Sequence, residues 1–227
     1  MKKFGFTLAE VLVTLGIIGV ISALVLPTFT SSTQRAKIGP KLAKAVSVFE
    51  QATQAVLDDA ESDSILGAQV ECRTGTLSAL TGCFSSQLEH HLKGSANGSS
   101  FVSSDGVSYS TTFQSNVTES QFVHDTQIAD VTINTSASTN GSMGSTLFKF
   151  HLMDDGTLIP WGSSSETNAS NRWQTRCPRE AEVSGTNLEY CAGHVMENNL
   201  KVEYKIGRTS SISIARPQLE ALERVNK

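Results

Sequence analysis

Between Phe6 and Gln34 the chain carries a single charge, Glu10, inside the apolar run FTLAEVLVTLGIIGVISALVLP. About 20 residues at roughly 1.5 Å rise cover a hydrocarbon core of about 30 Å, so this run predicts a membrane-spanning helix over residues 6–30. The polar stretch from Thr28 to Ser32 then crosses an interface, and Arg35 and Lys37 are the first firmly water-facing positions. A second pattern starts at Ile38 and continues through Leu42, Ala45, Phe49, Ala52 and Val56, widened by Val46 and Leu57. Spacings of three and four residues place these on one helix face, with Pro40 bending the first turn. Together the two patterns predict one long helix over 6–61, its outer half packed under a head of residues 62–227.

The head alternates in the manner of strands. Ser100 to Val102 and Val107 to Ser110 flank Asp105-Gly106; Asp130 to Asn134 stands alone; Leu147 to Met153 and Thr157 to Trp161 flank Asp155-Gly156. Aspartate-glycine pairs between alternating runs mark tight hairpin turns, and the set predicts an antiparallel meander. The two-residue period puts Phe148, Phe150 and Leu152 in the core and points Lys149 and His151 away, toward a face that water can reach. Lys201 to Ile206 predicts a late strand, Phe84 to Lys93 a turn or two of helix, and the tail an edge strand near Ile212 to Ile214 and a short helix at Gln218 to Val225. The expected class is α+β: a long N-terminal helix, membrane-spanning in its first half, packed against an antiparallel sheet.

Glu10 is the anomaly of the apolar run. A lone acid at membrane depth costs on the order of 2.5–3.5 kcal/mol and calls for a partner or a use. An acid snorkelling to the headgroups is the plain alternative. A secretory signal cut near Ile21-Ser22-Ala23 is another, although the apolar run continues past that point, and an uncleaved anchor would leave Glu10 unexplained. Gly16 and Gly19 weaken a helix by about 1 kcal/mol each, and Pro27 removes a backbone donor. These three mark a helix-loosening interval, although glycine and proline are also ordinary in membrane helices.

Lys2-Lys3-Phe4-Gly5 followed by Phe6-Thr7-Leu8-Ala9-Glu10 closely resembles the N-terminus of type IV prepilins and type II secretion pseudopilins. The resemblance covers about the first thirty residues. It implies a leader of residues 1–5, cleavage by a prepilin peptidase between Gly5 and Phe6, N-methylation of Phe6, and an assembly role for Glu10 as the fifth mature residue. Gly19 and Pro27 also fall where many type IV pilins loosen their helix. Cleavage would create an ammonium at Phe6 that a neighbouring subunit's Glu10 can meet in a low-dielectric bundle. The implied protein is pilin-like, single-pass in the inner membrane with its head outside the cytoplasm, then part of an extracytoplasmic filament. Its implied work is that of a structural subunit of a pilus or secretion pseudopilus. The implied partners are the peptidase, other pilin or pseudopilin subunits and an inner-membrane assembly platform. The competing reading is a minor tip subunit acting as an adhesin or DNA-uptake module. The segment CAGHVMENNLKVEY, residues 191–204, also resembles the last part of some prepilin-like proteins.

Composition narrows the chemistry. The 227 residues hold 18 Lys plus Arg against 22 Asp plus Glu, a net charge of −4, or −6 once Lys2 and Lys3 leave with a leader. That balance gives no general affinity for nucleic acid, although Arg172, Arg176 and Arg179 cluster beside Trp173. Four cysteines form two local couples, Cys72 with Cys83 and Cys177 with Cys191. In an exported chain they predict disulfides in the local pairing, each closing a short loop, although three connectivities exist and a zinc tetrathiolate would lack its usual CxxC. Asp154-Asp155-Gly156-Thr157 lacks the twelve-position ligand pattern of an EF-hand. His90, His91, His124, His151 and His194 form no HExxH, and no GxSxG surrounds a serine. The expectation is a non-enzyme without cofactor or metal, in which Trp161 and Trp173 either plug a sparse core or contact a ligand.

Overall fold

A computed structural model describes residues 7–68, 80–114, 126–136 and 143–206, and of residues 23–34, 80, 81 and 97 the backbone alone. Helix α1 runs from Leu8 to Asp59, 52 residues. Its outer half buries the expected stripe: Leu42 and Phe49 are fully covered, and Ala45, Val46, Ala52, Val56 and Leu57 nearly so. Pro40 lies inside α1 without ending it. The short α2 (Ile65–Ala68) and the longer α3 (Leu80–His91) follow.

The described helix overturns the membrane-spanning expectation. Among the described residues no helix is long and apolar enough to cross a membrane. The class is therefore a mixed α+β fold with an antiparallel sheet, without the spanning first half. The single-pass inner-membrane location falls with that helix. So do the structural pilus or pseudopilus subunit and its tip-subunit alternative, since each was to be held by a spanning segment.

Six strands form an antiparallel meander in chain order: β1 (Gly94–Asn97), β2 (Ser100–Ser103), β3 (Ser108–Phe113), β4 (Gln127–Asn134), β5 (Leu147–Met153) and β6 (Leu158–Pro160). Residue pairs such as Val131 with Phe150 and Ile133 with Phe148 fix the central register. One sheet face packs on α1 and α3. Phe49 meets Tyr109 at 5.3 Å between ring centroids, Phe84 meets Phe113 at 5.7 Å, and the Tyr109 hydroxyl donates to the Ala45 carbonyl at 3.2 Å. The β5–β6 turn also touches the helix. Gln54 Nε2 donates to the Asp155 carbonyl at 2.8 Å and Leu158 N–H to Glu50 Oε1 at 3.1 Å. Gly156 makes that turn with φ of 87°, and a Cβ there would sit 2.9 Å from the Thr53 methyl, so both backbone and helix demand glycine.

Beyond β6 the chain wraps the sheet edge. A 3-10 turn (Ala169–Asn171) leads to α4 (Trp173–Arg176) and β7 (Glu182–Val183); a second 3-10 turn (Gly185–Tyr190) then runs into α5 (Cys191–Glu197). The late strand is shorter than expected. Only β8 (Lys205–Ile206) is extended, and it pairs in parallel with β7, outside the main sheet. Asn199 and Leu200, just before the expected strand, adopt left-handed backbone at φ of 51° and 60°. The wrapping segment covers part of the outer sheet face: His151, expected to face water, is buried beneath the Trp161 ring. The expected tail elements at 212–225 lie outside the described residues.

Candidate functional site

Gly5 and Phe6, the expected cleavage and methylation positions, lie outside the described residues, immediately before the cap of α1. Thr7 is extended at φ −80° and ψ 148°, and a capping box closes around it. The Thr7 N–H and hydroxyl each donate to Glu10 Oε2 at 2.8 Å, while Glu10 N–H donates back to the Thr7 hydroxyl oxygen at 3.3 Å. Two otherwise orphaned helix N–H groups are satisfied, and a carboxylate sits at the positive end of the helix dipole. Glu10 thus has a local partner within its own chain. The signal for this was present as Thr-x-x-Glu, a sequence mark of a helix start that the expectation of a distant ammonium partner passed over.

Downstream, α1 is continuous through Gly16, Gly19 and Pro27. A Cβ at either glycine would meet nothing within 4 Å. The apolar residues of these first turns are bare, with Leu8 81% and Leu12 63% exposed.

In the head, Cys177 and Cys191 are joined, with Cα atoms 5.3 Å apart. Cys83 is also disulfide-bonded, and Cys72 lies outside the described residues. The Cys177–Cys191 bridge anchors a buried aromatic group. His194 Nδ1 lies 2.8 Å from the Cys177 carbonyl and Nε2 lies 3.4 Å from Asn198 Nδ2. A carbonyl can only accept, so Nδ1 carries the proton and Nε2 accepts from the amide. Burial holds this imidazole below its ordinary pKa, consistent with that neutral tautomer. Tyr204 and Trp173 pack edge-on against it at 5.0 and 4.8 Å.

The three arginines beside Trp173 are all engaged. Arg172 Nε donates to the Glu166 carbonyl at 3.0 Å, and Arg176 donates to Ser170 and Asn187 and lies over the Tyr190 ring. Arg179 pairs with Glu203 at 3.3 Å, donates to Asn198 and lies over Trp173. Trp173 Nε1 donates to Glu197 Oε2 at 2.8 Å. These contacts fasten the wrapping segment and leave no open basic stripe there to track a phosphate backbone. Trp161 takes a different role, stacking on His151 in the lining of a polar cavity. Among the described residues no group of three or more His, Cys, Asp or Glu is placed to hold a metal ion. His124 lies outside the described residues.

The family profile for the prokaryotic N-terminal methylation motif matches residues 1–26. No curated protein and no solved structure matches the chain.

Proposed function

We propose that the chain is made as a precursor of the prepilin and pseudopilin family. On this reading it is cleaved between Gly5 and Phe6 by a prepilin peptidase and methylated on the new Phe6 amine, and its mature head carries out no catalysis. The observation that carries the reading is the methylation motif over residues 1–26. Geometry supports it at one point. The described helix α1 has its N-cap at Thr7, one residue after Phe6 in the sequence. Processing trims the chain close to its cap, and the new amine stands one residue before Thr7. The partners of this reading are the peptidase and other chains that carry the same motif.

Intact-mass analysis after co-expression with a prepilin peptidase tests the proposal. The expected product starts at Phe6 and carries one added methyl group, whereas Gly5→Leu keeps Met1 through Gly5 attached. A parent chain that stays full length beside an active peptidase, or a Gly5→Leu chain cut like the parent, overturns it.

A further inference from the structure

A polar cavity of about 280 Å³ opens on the outer face of the sheet, far in sequence from the N-terminal motif. It is lined by Asp130 of β4 and His151 of β5, by Trp161, Glu166 and Asn171 of the wrapping segment, and by Gln114 just after β3. Gln127 and Tyr190 complete the lining. No single stretch of sequence makes this cavity; it exists because the wrapping segment returns over β5.

Its chemistry is that of hydrogen-bonding groups fixed in place and in part unused. Asp130 Oδ1 accepts from Gln127 Nε2 at 2.9 Å and lies 3.2 Å from His151 Nδ1, while Oδ2 accepts nothing from the described residues. Glu166, only 3% exposed, accepts the Gly162 N–H at 2.6 Å through one oxygen. The Trp161 indole N–H is buried and has no hydrogen-bond partner among the described residues. A buried donor left unmade is expensive, and a ligand acceptor would relieve it.

The same surroundings carry both signs of charge and favour no net charge on a ligand. The aromatic rings already carry the chain's own groups: His151 stacks on Trp161 at 4.8 Å, Lys149 Nζ lies 4.9 Å from the Trp161 centroid, and Arg176 lies over Tyr190. A ligand cation would find those rings occupied by cations. A ligand anion would face the carboxylates of Asp130 and Glu166. Hydroxyl groups, which donate and accept at once, match carboxylate oxygens, side-chain amides and an indole N–H together. The volume lies at the lower edge of the roughly 300–1,000 Å³ of small-molecule sites and suits one ring rather than a chain. We propose that this cavity binds a neutral, polyhydroxylated ligand of the size of a single sugar ring.

The test uses the purified full chain with glucose, galactose, mannose and N-acetylglucosamine as probes, and choline and citrate as charged competitors. Saturation-transfer NMR reads binding. At least one sugar should bind in the millimolar range and be displaced by neither competitor. Asn171→Ala and Trp161→Phe should each weaken it by about fivefold or more, the latter because it keeps a ring while removing the N–H. Thermal unfolding establishes that each variant is folded, and Asn171→Ala, at a partly exposed site, decides the matter if Trp161→Phe is not. No binding of any sugar, displacement by choline or citrate, or affinity unmoved in the folded variants overturns the proposal.

Discussion

Gly193→Ala should destabilise the head, although helix propensity alone argues the opposite. Gly193 lies within α5, where replacing glycine by alanine ordinarily stabilises by about 0.5–1 kcal/mol. A Cβ at that position would stand 2.4 Å from the Gly162 carbonyl carbon, 2.5 Å from its oxygen and 2.7 Å from Ser163 N. These are backbone atoms, and the turn they form is held on three sides. Gly162 N–H donates to Glu166 at 2.6 Å, its carbonyl accepts from Trp173 N–H at 2.7 Å, and Gly193 N–H donates to the Trp161 carbonyl at 2.8 Å. Retreat is blocked by the second close approach of the same turn, since a Cβ on Gly162 would lie 2.2 Å from the Tyr190 carbonyl oxygen. Overpacking of this kind costs about 1–3 kcal/mol, and stretching the Gly193 hydrogen bond about 0.5–1.5 kcal/mol more. Set against the propensity gain, the net loss is about 2 kcal/mol, which lowers the melting temperature of a chain this size by roughly 4–8 °C. Near-ultraviolet circular dichroism of the oxidised full chain reads the transition. Gly82→Ala is the control: it lies in α3 with nothing within 4 Å of its Cβ, so it should melt at or slightly above the parent. A Gly193→Ala chain that also melts at or above the parent refutes the close-approach argument.

Replacing Cys177 and Cys191 together by serine opens a loop with a sequence separation of 14, and loop-closure entropy sets the loss at about 3 kcal/mol; an unchanged urea midpoint would rule this out. Stability should also depend on pH in two opposed ways. Burial holds His151 and His194 below 6.5, so the unfolded chain takes up their protons first and stability falls as pH drops below 6.5 toward the folded values. Burial raises Glu50 and Glu166 above 4.5, so their contribution, full below 4.5, is lost as pH rises through the folded values. Glu50→Gln keeps an acceptor for Leu158 while deleting one opposing titration. Its urea midpoint should therefore fall more steeply below pH 6.5 than the parent's, and parallel curves would contradict the assignment.

What could be seen in the sequence follows from which contacts are periodic. The stripe from Leu42 to Leu57 and the alternation of Phe148, Phe150 and Leu152 each face one partner surface, so spacing alone identifies the buried side, and both patterns are buried in the fold. The Asp105-Gly106 and Asp155-Gly156 pairs located their turns for the same local reason. Composition was a poorer guide at the N-terminus, where a charge-poor run suggested a spanning helix that the described residues do not supply. Glu10 shows the difference in kind, because a carboxylate three residues after a threonine has a local capping partner that competes with any remote one. The outer sheet face was legible least. Gln127, Asp130 and His151 each occupy strand positions that read, one at a time, as ordinary polar side chains. Their meaning changes only when Trp161, Glu166 and Asn171 arrive from a segment with no periodicity of its own, drawn back by the Cys177–Cys191 bridge and the Lys149–Glu189 pair at 2.9 Å. Polar residues that a strand period sends toward water become a candidate binding site once a later, irregular segment roofs them. The candidate binding cavity of this head therefore lies where sequence periodicity is silent.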